Sequence, residues 1–215
     1  MDQSEQATEQ TVTGWVAAAL RGDAEASFRL AEFGWEHDQH ETVDSWMVLA
    51  AHYGDPAMLW RLADLVKDRT SGDVTARLQR QAIAAEWGGS DVVVDENWCR
   101  IYSARPDSSY TQDFDTHVKG EPDTAVHSAV VAAAARFMAV GDDGVEYADP
   151  EEALDEAAYS PNCASIPTRH PAGGWHFGLD CKGEVFPLMA ATQLRILVEE
   201  LRRAGATDIR IGTRA

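Results

Sequence analysis

Apolar residues fall three and four apart through the first ninety positions, and this spacing predicts helices over 8–21, 24–36, 41–53, 56–67 and 73–88. Beyond Val92, Val93 and Val94 the alanine-rich helical texture gives way to short strand-like runs, which marks a change of domain. Residues 98–102 read as a strand, and the polar stretch 105–121 reads as a long loop. Val126, Val130, Ala133 and Phe137 then share one helical face over 122–140, with Gly141 placed to stop the helix. Residues 145–147 predict a short strand, and Asp149, Pro150 and Glu152 carry the capping signature of a helix running to 159. Residues 174–179 and 184–188 flank a turn at 180–183, as a hairpin would. After Thr192, a plausible cap, Leu194, Leu197, Val198 and Leu201 keep one apolar face, with Glu199 and Arg203 spaced for a pair on the other. Residues 208–212 close as a strand. The fold class is α+β overall: all-α helical-hairpin repeats over 8–92, followed by an α+β domain over 97–215 with an antiparallel or mixed sheet.

The helical region repeats itself. Twelve residues from Gly22 to Phe33 are echoed 32 positions later from Gly54 to Leu65, with five identities and three conservative changes, among them Phe28 for Trp60. The pattern Ala-Ala-x-x-Gly recurs at Ala18, Ala50 and Ala84, so the spacings are 32 and 34. A period of this size belongs to helical hairpins. Each unit has a physical reading: the glycine ends one helix, and Asp23 or Asp55 caps the next by accepting from its exposed amides. Phe28 or Trp60, with Leu30 or Leu62, fills the space between hairpins, and the tryptophans at 15, 35, 46, 60 and 87 read as interhelical core. The motif, followed by an aromatic-Arg-Leu-Ala run, resembles Sel1-like repeats, relatives of the tetratricopeptide class, over residues 10–92. That resemblance implies a right-handed stack of α-hairpins serving as a protein-binding scaffold, without catalysis. With two clear copies, the array should lean on the second half of the chain to cover its apolar faces.

Charge narrows the partners. The formal net charge is −18, with −11 over residues 1–96 and −7 over 97–215. Phosphate backbones and anionic lipids are bound chiefly through lysine and arginine, so nucleic acid and membrane are excluded as default partners. Three cysteines, Cys99, Cys163 and Cys181, make an odd set that argues against a disulfide scaffold. The acidic, polar start of the chain lacks a secretory pattern, so the sequence reads as cytoplasmic.

Two sets of residues carry candidate chemistry. Eight carboxylates fall within residues 142–156 with no base among them, and Asp142, Asp143, Glu146, Glu151, Glu152, Asp155 and Glu156 form the candidate docking surface for a basic protein. Cys163, His170, His176 and Cys181 supply four zinc-capable ligands, although their spacings of seven, six and five fit no usual zinc knuckle. Phosphate-binding loops, dinucleotide turns, nucleophile elbows and paired-cysteine motifs do not occur, and no cofactor is called for. The sequence therefore favours a non-enzymatic interaction protein, a scaffold or adaptor of which an inhibitor or immunity protein for a basic toxin is one version. The alternative is an enzyme whose reagents come from Tyr110, Asp113, His117, Cys163, His170 and His176, with or without zinc.

Overall fold

The computed structural model describes residues 3–70, 72–95, 112–120, 123–137, 139–141, 143–147, 160–164, 167–182 and 186–213. Helices α1 (Gln3–Ala19), α2 (Ala24–Glu36), α3 (His40–Tyr53), α4 (Pro56–Val66) and α5 (Gly72–Trp87) stand where the apolar spacing puts them. The repeated aspartates act alike: Asp23 accepts from the Ala26 amide at 3.0 Å and Asp55 from the Met58 amide at 2.9 Å. The repeated arginines differ. Arg61 lies over the Phe28 ring at 4.1 Å and reaches Glu25 of α2, joining one hairpin to the next, whereas Arg29 stays within its own helix on Glu25 and Glu32.

The two repeated glycines also serve different ends. Gly22 has φ +91°, the left-handed conformation expected after a helix. Gly54 is extended, with φ −79°, and is needed because a Cβ there would sit 2.5 Å from the Ala50 carbonyl oxygen and 2.5 Å from Met58 Cγ.

The second half builds one mixed sheet from β1 (Val92–Val94), β2 (Gln112–Lys119), β3 (Ser160–Ala164), β4 (Thr168–Arg169), β5 (Trp175–Lys182) and β6 (Thr207–Thr213). The strand order is β1-β6-β2-β5-β3, with β4 also on β5. β1 runs parallel to β6; the other pairings are antiparallel. Helices α6 (Asp123–Phe137) and α7 (Pro187–Arg203) pack together beside the sheet. The predicted faces hold: Val126, Val130, Ala133 and Phe137 of α6 and Leu194, Leu197, Val198 and Leu201 of α7 are all buried, and Arg203 pairs with Glu199 at 2.6 Å. On the opposite face of the sheet Val93, Lys119 and Arg210 are exposed, with no described element packed over them.

Several local expectations are corrected. Residues 112–119 form a central strand, where the polar composition suggests part of a loop. Asp180, Cys181 and Lys182 continue β5 and do not turn; the hairpin lies earlier, between β4 and β5, with Gly173 and Gly174 at φ +89° and +83°. Helix α7 starts five residues before the expected cap, and Thr192, inside it, donates its hydroxyl to the Gly144 carbonyl at 2.6 Å. Residues 145–147 contribute one isolated bridge, Val140 to Glu146. The strand expected at 98–102 and the helix expected over 149–159 lie outside the described residues.

One hydrophobic cluster runs through both halves, joining Phe28, Trp60 and Leu62 of the hairpins to Phe137, Leu197, Phe177 and Ile209. Helix α4 packs on α7, and Arg195 of α7 grips Glu86 of α5 with both carboxylate oxygens, at 2.6 and 2.9 Å. The N-terminal helices thus share their core and an ion pair with the second half. Trp60 and Trp87 are buried, and the half-buried Trp35 and Trp46 pack against the same cluster. Among the described residues no helix is long and apolar enough to cross a membrane.

Candidate functional site

Two residues of the candidate acidic docking surface, Asp143 and Glu146, are among the described residues. Asp142, Glu151, Glu152, Asp155 and Glu156 lie outside the described residues. Of the two that remain, Asp143 shapes the local loop, accepting from the Val145 amide at 2.9 Å and from the Tyr147 hydroxyl at 3.3 Å. Glu146 is not without a base, as the local sequence suggests: Arg136 of α6 holds it at 2.6 and 2.7 Å. The same guanidinium reaches Glu199 at 3.0 Å and Glu200 at 2.7 Å. With Arg203, which also pairs with Glu199 and Glu200, this makes a five-residue ion network where α6, α7 and the 143–147 loop meet.

The network has a pH signature. Hydrogen bonds from Arg136 hold the Glu146 carboxyl below its ordinary value of 4.5. For Glu200 burial is the largest influence and works upward, yet Arg136 and Arg203 together bring it below the same value. A folded-state value below the unfolded one means stabilisation that is complete above about pH 4.5 and is lost as the pH falls through the folded value. Thermal melts of the wild-type chain are therefore expected to weaken steeply on acidification below pH 4.5, and Arg136→Gln should flatten that slope. An unchanged slope would remove Arg136 as its cause.

The four zinc-capable residues do not converge. His176 and Cys181 sit five positions apart on the single extended strand β5, which separates their backbones by about 17 Å, too far for metal bonds of about 2 Å. Cys163 stands on β3 at the register irregularity between Asn162 and Ala164, opposite the Cys181 end of β5. Among the described residues no group of three or more histidine, cysteine or acidic side chains is arranged to hold a metal.

A different convergence does occur. His117 of β2 stands directly opposite His176 of β5, and the ring of His170, at the end of β4, lies 4.2 Å from that of His117 and 6.2 Å from that of His176. Three members of the enzymatic set thus meet on the sheet. Two of them use a ring nitrogen on the β4–β5 turn: His117 Nε2 donates to the Gly173 carbonyl at 2.7 Å, and His170 Nδ1 accepts from the Ala172 amide at 3.1 Å. Those bonds fold the turn down onto β2. Asp113 is four positions along β2 from His117, a separation of about 13 Å, and Tyr110 lies outside the described residues. Among the described side chains, the cluster secures a hairpin.

Two concave surfaces lie elsewhere, on either side of α5. A groove of about 720 Å³ runs between α3 and α5, over Met47, Val48, Leu59, Val74 and Leu78. A second, of about 550 Å³, separates α5 from β1 and is lined by Ile83, Trp87 and the whole of β1. Arg77 and Gln81 border both, so the exposed stripe of α5 is a ridge between two apolar troughs. Val48, beside the first, is 67% exposed, and Val93, beside the second, 53%. Sequence reasoning passed over this surface because its components belong to separate elements; the trace it leaves is the pairing of Arg77 with Gln81 one turn apart on an otherwise core-forming helix.

The charge along the ridge is local. Glu86 is held by Arg195 and Asp91 by Arg202, whereas Arg77, exposed, and Arg80, half-buried, meet no carboxylate among the described residues. The groove wall therefore carries two arginines against one carboxylate, Asp95, in a strongly acidic chain. No protein family, curated protein or solved structure matches the chain.

Proposed function

We propose that the chain is a non-enzymatic interaction protein that holds a partner protein along α5. The observation that carries the reading is the pair of apolar troughs flanking one exposed helix, with Val48 and Val93 open on either side. Contiguous exposed apolar surface of this kind marks an interaction site more often than chance exposure of single residues does. The equivalent caps at Asp23 and Asp55 and the hairpin-to-hairpin contact of Arg61 support the resemblance to Sel1-like scaffolds, which serve protein binding. The docking face proposed here is α5.

Site-specific photocross-linking in a lysate of the source organism tests this reading. A photoreactive residue at position 48 or 93 is expected to trap the same discrete protein, and the same residue at position 131, exposed on α6, is expected to trap none. Equal trapping at all three positions, or trapping only at position 131, would contradict it.

A further inference from the structure

We propose that the outer edge of β1 takes an extended acidic segment of a partner as an added strand, with Arg77 and Arg80 pairing its carboxylates. This rests on the reading of the chain as an interaction protein and names the chemistry of what it holds.

The backbone supplies the first argument. β1 is the terminal strand of the sheet and has β6 on one side. The Asp91 carbonyl accepts from the Ile209 amide, and the Asp95 amide donates to the Ile211 carbonyl, both at 2.8 Å. Odd-numbered residues of this stretch therefore face β6, and Val92 and Val94 turn their amides and carbonyls outward. The Val92 amide is already taken, donating to the Ser90 hydroxyl at 3.1 Å. The Val92 carbonyl and both groups of Val94 remain along the outer edge, and no strand among the described residues covers them. Such an edge is a template for strand addition.

The surroundings supply the second. The edge faces a trough of about 550 Å³ whose floor is Ile83 and Trp87, so alternate side chains of an added strand have apolar seats. Charge selects the occupant. The nearby carboxylates Glu86 and Asp91 are engaged by Arg195 and Arg202, and the trough wall itself carries Arg77 and Arg80 against one carboxylate, Asp95. Screening shortens electrostatic reach to about 8 Å at physiological salt, so this local excess of positive charge outweighs the distant acids in setting what binds there. A second copy of this chain is the weaker occupant, because each copy brings a net charge of −18.

The experiment uses the full chain and an eight-residue peptide alternating valine with glutamate, with the valine–lysine peptide as its counterpart. Amide hydrogen exchange read by NMR is expected to show at least a tenfold slowing at Val94 with the glutamate peptide and none with the lysine peptide. Arg77→Glu/Arg80→Glu should reverse that preference. Val94→Pro removes only an outward amide, so it should keep the wild-type melting temperature while weakening glutamate-peptide binding at least tenfold in titrations. Slowing that is equal for the two peptides, or glutamate-peptide affinity that survives Val94→Pro in the folded chain, would overturn strand addition. Unchanged exchange at Val94 with both peptides would overturn it too, and trapping at position 48 or 93 would then still uphold the interaction reading itself.

Discussion

Trp60→Ala is expected to destabilise the chain by about 3–5 kcal/mol and to do so in both halves at once. Trp60 is 1% exposed and belongs to the cluster that continues through Leu197 and Phe137 to Phe177 and Ile209. Removing an indole from such a site leaves a cavity that the surrounding helices fill only in part. The shared core determines the second half of the prediction. Because α4 packs on α7 and Arg195 ties α7 to α5, loss of the hairpin side chain also weakens what supports the sheet. Denaturation followed by NMR signals of Ala63 and of Phe177 should show one coincident transition, moved to lower denaturant. Two separated transitions would mean that the halves have independent cores.

Gly174→Ala is the second large effect, and Gly173→Ala is its internal control. Both glycines adopt positive φ, +89° and +83° in order, so either substitution carries the strain of that conformation, about 1–2 kcal/mol. Their surroundings differ. A Cβ at Gly173 meets nothing within 4 Å, whereas one at Gly174 would lie 2.2 Å from the Val118 carbonyl oxygen and 3.2 Å from the Lys119 Cα. Both neighbours are backbone of the central strand and neither can yield without moving β2 from β5. The clash should add about 1–3 kcal/mol beyond the strain, and Gly174→Ala should also disturb the His117 bond to the Gly173 carbonyl. Chemical denaturation of the two variants measures the difference directly. Equal losses would show that the close approach of the turn to β2 does not constrain the fold.

These two sites differ in how far the sequence discloses them. Trp60 is visible through its place in a 32-residue repeat, since the aromatic at each copy has to fill the space between hairpins. The faces of α6 and α7 are equally legible, because an apolar residue every three or four positions leaves one arrangement that buries them. Gly174 is a different case: adjacent glycines announce a turn, yet nothing in the residues says that the turn folds onto β2. That contact comes from register between segments distant in sequence. The same limit hides β2 itself. Asp113, Asp115, His117 and Lys119 alternate with Phe114, Thr116 and Val118 at the strand period, but the polar members outweigh the apolar ones in composition and suggest a loop. Thr192 misleads for a local reason, because its hydroxyl finds a partner in Gly144, 48 positions away, and Pro187 opens the helix earlier.

Candidate chemistry followed the same division. The nearness of His170 and His176 is partly legible, since a six-residue interval can close through a Pro-Ala-Gly-Gly turn, but His117 joins them only through the pairing of β2 with β5. Cys181 could come near His176 only if residues 180–183 turned. Because β5 continues through 180–182, the two residues part. Glu146 appears uncompensated along the chain because its base, Arg136, precedes it by ten residues on a separate helix. The α5 grooves are absent from the sequence reading for a related reason, since each of their walls looks like ordinary core until the neighbouring element is in place.

The account places the partner along α5, and amide hydrogen exchange of the full chain, alone and with the protein trapped at position 48 or 93, tests that claim most directly. Slowed exchange is predicted over α5 and at Val94, with β2 unchanged. Slowing confined to Gln112–Lys119, or to residues 143–147, with α5 unaffected, would contradict it.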